Sequence, residues 1–145
     1  MSTKEVQEQL VNSMKHWQQI ENRSIESTAA VIAKTENPLI RLVMEIVQRD
    51  SQMHYRVQQM IIDSLEGKPI VLSTDEMGSI SEMIDNHLDI ENEMVGLVHQ
   101  SLSDVKNKKM VVQEYLLNFL VEDEKKHAAM LQALSKVKQG MYPYG

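Results

Sequence analysis

The helix-breaking signals of this sequence gather at three interior places, and long unbroken stretches lie between them. Asn37-Pro38 sets an N-cap residue before a proline, whose fixed φ suits the first helical position. Glu66-Gly67-Lys68-Pro69 ends one helix, and Asn107-Lys108-Lys109 makes a short turn. Ser2 with Glu5, and Ser73 with Glu76, have the spacing of capping boxes. The punctuation predicts helices over about 3–35, 38–65, 74–105 and 108–138, with Gly140 stopping the last and 139–145 left as a flexible tail. Strand-type alternation is not sustained anywhere. The expected fold is all-α, an antiparallel four-helix bundle formed by a single domain, 1–138.

The link between the second and third helices bears on topology. Residues 66–73 extend only about 26–29 Å, too little to run the length of helices some 42–50 Å long at ~1.5 Å per residue. This favours an up-down-up-down order. A start of helix 3 near Ser79 would leave a crossover open.

Composition narrows the function classes. Forty-two per cent apolar residues, with 11 Met and a single Trp and Phe, describe a Leu/Ile/Val/Met core suited to helix-on-helix packing. The net charge of −6, with no basic block longer than a Lys-Lys pair, argues against a nucleic-acid partner. The absence of cysteine excludes disulfides, thiolate metal sites and cysteine catalysis. Neither an apolar leader nor a run of roughly 20 apolar residues is visible, so the expectation is a cytoplasmic protein without a membrane span.

The apolar stripes are each broken near mid-helix by polar groups. Helix 2 runs Leu39, Val43, Ile46, then Asp50 and His54, then Met53, Val57, Met60 and Ile61. Helix 4 runs Val112, Leu116, Phe119, Asp123, His127, Met130 and Leu134. Helix 3 carries His87 and Glu91 between Ile84 and Met94, and helix 1 carries Glu21 after Trp17. The flanking apolar residues, Trp17, Met60, Met94 and Met130 among them, are expected in the core. A buried carboxylate costs several kcal/mol unless paired or coordinated. A divalent cation offsets that cost, and carboxylate with imidazole suits iron, manganese or zinc. Under antiparallel packing the polar groups fall within roughly 6 Å of one level.

The chain also repeats itself. Ile20-Glu21-Asn22 matches Ile90-Glu91-Asn92, and QRDSQMH at 48–54 matches VEDEKKH at 121–127. On these residues the sequence, over about 10–135, resembles the ferritin-like superfamily, nearest to its rubrerythrin type. That family places a Glu on helices 1 and 3 and Glu-x-x-His on helices 2 and 4, around a di-iron or di-manganese centre. The resemblance implies Glu21, His54, Glu91, Glu124 and His127 as metal ligands. It makes Asp50 and Asp123 the acceptors that orient the ligand histidines. It implies a non-haem iron oxidoreductase or a metal-handling protein, with Mn or Zn as other metals and a homodimer left open.

Ser51 departs from the pattern, since it stands where the family has a carboxylate and a hydroxyl is a poor ligand for a hard divalent ion. A mononuclear, asymmetric or vestigial site stays open, and His87, one turn before Glu91, is the nearest substitute donor. His87-x-x-x-Glu91 is also similar to the ligand pattern of hemerythrin-like bundles, whose di-iron centre binds O₂. His16 lies one position off its stripe and is a weaker candidate. The rival reading is a metal-free helical interaction or stress protein, with Asp–His pairs as hydrogen-bonded polar layers.

Overall fold

The computed structural model describes residues 1–141, with the side chains of Met77, Ser135, Lys138 and Met141 set aside. It is all-helical: α1 spans Thr3–Lys34, α2 Pro38–Glu66, α3 Thr74–Val105 and α4 Val111–Met141. No strand occurs among the described residues. The chain forms two compact units, Met1–Ile70 and Val71–Gly145, each a helical hairpin.

The caps carry out what the sequence announces. The Ser2 hydroxyl accepts from the Glu5 amide at 3.2 Å while the Glu5 carboxylate accepts from the Ser2 amide at 2.9 Å. Asn37 Oδ1 accepts from the amides of Leu39 and Ile40, and the Ser73 hydroxyl from that of Glu76. These bonds occupy amides that have no intrahelical acceptor. Arg41 closes the α1–α2 turn by donating to the carbonyls of Ile32 and Thr35. At Gly67, the C-cap of α2, a Cβ would stand 2.9 Å from the Asp63 carbonyl oxygen, so the close return of the chain requires glycine.

Two boundaries differ from expectation. α4 begins at Val111 rather than 108, because Asn107 and Lys109 adopt left-handed backbone with φ of 63° and 58°. Gly140 does not stop α4, which continues through it to Met141; a single glycine near a helix end costs about 1 kcal/mol and needs no break. The rest of the expected tail, 142–145, lies outside the described residues.

In the first hairpin the pairs Gln18–Tyr55, Ser24–Ser51 and Ile25–Gln48 are bonded, so later residues of α1 meet earlier residues of α2 and the helices run antiparallel. Val11, Met14 and Ile62 form its buried apolar cluster, with Ile61 and Leu65 against them. The rest of the seam is polar: Gln18, Glu21, Thr28, Ser51 and Gln58 are all buried. This revises the expected core. Met53, Val57 and Met60 are more than half exposed and Trp17 nearly so, because they project from the hairpin away from the α1–α2 seam.

In the second hairpin residues 106–110 span at most ~17 Å, so two contacting helices of about 46–48 Å run antiparallel. Val121, Ala128 and Glu91 are buried there, and Leu88, Val95, Val98 and Leu117 half-buried. Met94 is half-buried as well, and Met130 is 62% exposed on the hairpin.

Candidate metal centre

Each hairpin buries one glutamate from its first helix, and the two surroundings differ. Glu21 is 6% exposed. Gln58, on the facing helix, donates Nε2 to Glu21 Oε2 at 3.2 Å, and His54 brings Nδ1 to 3.4 Å from the same oxygen. The imidazole itself is largely exposed. Ser51 shares a 2.8 Å hydrogen bond with the Ser24 hydroxyl. Two amides extend the network to the backbone: Gln48 donates to the Ile25 carbonyl, and Gln18 to the Tyr55 carbonyl and to Gln59 Oε1. The first hairpin thus offsets the cost of its buried carboxylate with the neutral side-chain amide of Gln58. Asp50 is exposed on α2, and the contact His54 makes is with Glu21. His16 is exposed on α1.

The second hairpin leaves its carboxylates open. Glu91 on α3 is 5% exposed, and Glu124 and His127 face it from α4. One donor atom from each of the three lies within 4.8 Å of the other two. His127 Nδ1 is 3.5 Å from Glu91 Oε2 and 3.5 Å from Glu124 Oε2. Both of these carboxylate oxygens are buried, and with both groups ionised neither accepts a hydrogen bond. The i,i+3 spacing of Glu124 and His127 puts the two groups on one face of α4, which is why they converge.

Around this triplet stands an outer ring. His127 turns its other nitrogen, Nε2, toward Asp123 Oδ2 at 3.4 Å, and Lys126 donates to Asp123 Oδ1 at 2.8 Å. Asp123 thus lies beside the outer nitrogen of His127. His87 Nε2 is 2.9 Å from Glu91 Oε1, the other oxygen of the carboxylate whose Oε2 lies 3.5 Å from His127 Nδ1.

Electrostatics follow from this crowding. Two ionised carboxylates side by side have no donor between them; with one proton, Glu124 donates to Glu91. The Glu124 carboxyl accordingly holds Glu91 below the ordinary carboxylate value, against burial and with help from His87 and His127. Its bond to Glu91, followed by burial, pushes Glu124 up. A divalent cation held there would take the place of that proton and compensate both carboxylates at once.

The residues implied as ligands are thus sorted by hairpin: Glu21 and His54 in the first, Glu91, Glu124 and His127 in the second, with His87 against Glu91 Oε1. Gln18, Ser24 and Gln58 were not among the expected site residues. A signal for Gln58 exists, because it lies two turns after Ser51 and so on the same face of α2. Comparison of the chain with family models, with curated proteins and with solved structures finds no match. No helix among the described residues is long and apolar enough to cross a membrane.

Proposed function

We propose that the protein binds a first-row divalent metal ion through Glu91, Glu124 and His127, as a ferritin-like metal-handling or redox protein with a reduced site. The observation that carries this reading is the pair of buried carboxylate oxygens, Glu91 Oε2 and Glu124 Oε2, that have no hydrogen-bond donor when both groups are ionised and that lie beside an imidazole nitrogen. Uncompensated buried acceptors are expensive, and a cation compensates both together. Carboxylate and imidazole favour iron, manganese or zinc; the family likeness favours iron. Three protein donors leave coordination positions for water or a small substrate, which is what O₂ or peroxide chemistry at such an ion uses.

The first hairpin fits the dinuclear pattern of the family poorly. Ser51 is engaged by Ser24, and Gln58 occupies the oxygen of Glu21 that would turn to a metal. One ion per chain is therefore the stoichiometry of this reading. Its architecture is the antiparallel four-helix bundle expected from the sequence, and the apolar faces that each hairpin exposes support it.

Elemental analysis of protein purified without added metal, followed by Co²⁺ titration of the EDTA-treated protein, tests the proposal. Near-stoichiometric metal lost in Glu124→Gln supports it. No metal in the purified protein and no Co²⁺ binding would return the chain to the metal-free reading, which the hydrogen-bonded polar seam of the first hairpin favours.

A further inference from the structure

The sequence left His87 as a substitute ligand, and the geometry gives it other work. Its Nε2 does not join the triplet of donor atoms formed by Glu91, Glu124 and His127. It meets Glu91 Oε1 at 2.9 Å, one helical turn along α3, while Glu91 Oε2 points to His127. The ring is about half exposed, whereas the carboxylate it holds is buried, so the bond reaches the site from its solvent side.

We infer that His87 is a positioning residue, which engages one oxygen of Glu91 so that the other alone faces the metal. The inference rests on the metal-binding reading proposed above. Its physical basis is carboxylate geometry. A free carboxylate turns about its terminal torsion, which is broad and nearly two-fold, and can present one oxygen or both to a cation. A donor fixed on Oε1 ends that freedom, because turning to bidentate ligation breaks a hydrogen bond to an ionised acceptor. His87 thereby holds Glu91 from outside the triplet, while the Asp123 carboxylate stands 3.4 Å from the outer nitrogen of His127. Each ligand so held comes from the same short stretch of chain as its holder: His87 and Glu91 are i,i+4 on α3, as are Asp123 and His127 on α4.

The other groups facing Glu91 do not duplicate this role. His127 approaches Oε2, Glu124 faces the same carboxylate from α4, and no further donor reaches Oε1 among the described contacts. Removing the imidazole leaves that oxygen to turn inward or to water.

The test uses the full chain, Co²⁺ as the probe ion and visible absorption as the readout. Absorption reports coordination number, since four-coordinate Co²⁺ absorbs strongly and five- or six-coordinate Co²⁺ weakly. His87→Leu is expected to weaken Co²⁺ binding about 10- to 100-fold, the range found for residues that orient ligands, and to lower the band intensity as Glu91 becomes bidentate. His87→Gln, whose amide can donate to Glu91 from the same position, is expected to restore most of the affinity and the wild-type spectrum. His127→Ala, with circular dichroism to confirm folding, gives the spectrum of a lost ligand. Unchanged affinity and spectrum in His87→Leu overturn the inference and leave the metal reading intact. Loss of binding in His87→Leu as complete as in His127→Ala makes His87 a ligand, and also overturns it. Absence of Co²⁺ binding in the wild-type chain overturns the metal reading, and the inference falls with it.

Discussion

Gln58 donates its side-chain amide to Glu21 across 3.2 Å, from a position 3% exposed to one 6% exposed. The equivalent carboxylate of the second hairpin, Glu91, has no amide on its inner oxygen. An internally repeated sequence has thus reached two solutions to one physical problem, the burial of an acid between two helices. Expectations for mutants separate along the same line.

Gln58→Leu removes the donor and keeps the volume, leaving a buried carboxylate oxygen with only the His54 ring nearby. The expected cost is about 1–3 kcal/mol, measured by urea unfolding at neutral pH. A cost within error of zero would mean that water takes over the bond.

Ser51→Glu places a carboxylate at a position 5% exposed and bonded to Ser24. Without metal, a second buried carboxylate near Glu21 is expected to cost several kcal/mol. Ser51→Ala, which loses only a hydroxyl pair, is expected to cost about 1 kcal/mol. Metal-dependent recovery of the melting temperature in Ser51→Glu, absent from Ser51→Ala, would show that the first hairpin can still be made a site.

For the unmodified protein, metal should stabilise in proportion to occupancy. At a free Mn²⁺ or Fe²⁺ concentration ~100 times Kd the gain is about 2.7 kcal/mol. That corresponds to a rise in Tm of roughly 5–10 °C for a chain of this size. Excess EDTA should reverse it, and Glu124→Gln should abolish it. Identical melting curves with Mn²⁺, with Fe²⁺ and with EDTA would contradict the proposed function.

The apo protein should also respond to pH through Glu91 and Glu124. Glu124 is raised in the fold, so its contribution is present below its unfolded value, near 4.5, and is lost as pH rises through its folded value. Glu91 is lowered, so its contribution is present above 4.5 and is lost as pH falls through its folded value. Together they favour the singly protonated pair in mildly acidic solution. Melting of the EDTA-treated protein should show a weakly acidic optimum that Glu124→Gln flattens. A wild-type profile indistinguishable from that variant would refute the shared proton.

Helix positions were legible because their signals are local: Asn37 before Pro38 and Ser73 before Glu76 act within a single turn. The second-hairpin triplet was legible for the same reason, since Glu124 and His127 are i,i+3 and the repeat singled out Glu91. The α1–α2 seam was not. Its periodicity was masked by the stronger apolar stripe through Met53, Val57 and Met60, which faces away from the seam. Glutamines in contact phase read as surface residues until their partners on the other helix are known, and those partners lie 23 to 41 residues away. The role of His87 was hidden at finer scale, because spacing places it beside Glu91 without saying which oxygen it meets.

The amide-lined seam of the first hairpin has one more consequence. Two helices joined by leucines alone tolerate sliding past one another, because one methyl is much like the next. Here Gln18 must find the Tyr55 carbonyl, Gln48 that of Ile25, Ser24 the Ser51 hydroxyl and Gln58 the Glu21 carboxylate. A slip of one turn breaks all four pairings together and strands their polar atoms between helices. The seam therefore acts as a vernier: its teeth add little to the strength of the joint, but they allow a single alignment of the two helices.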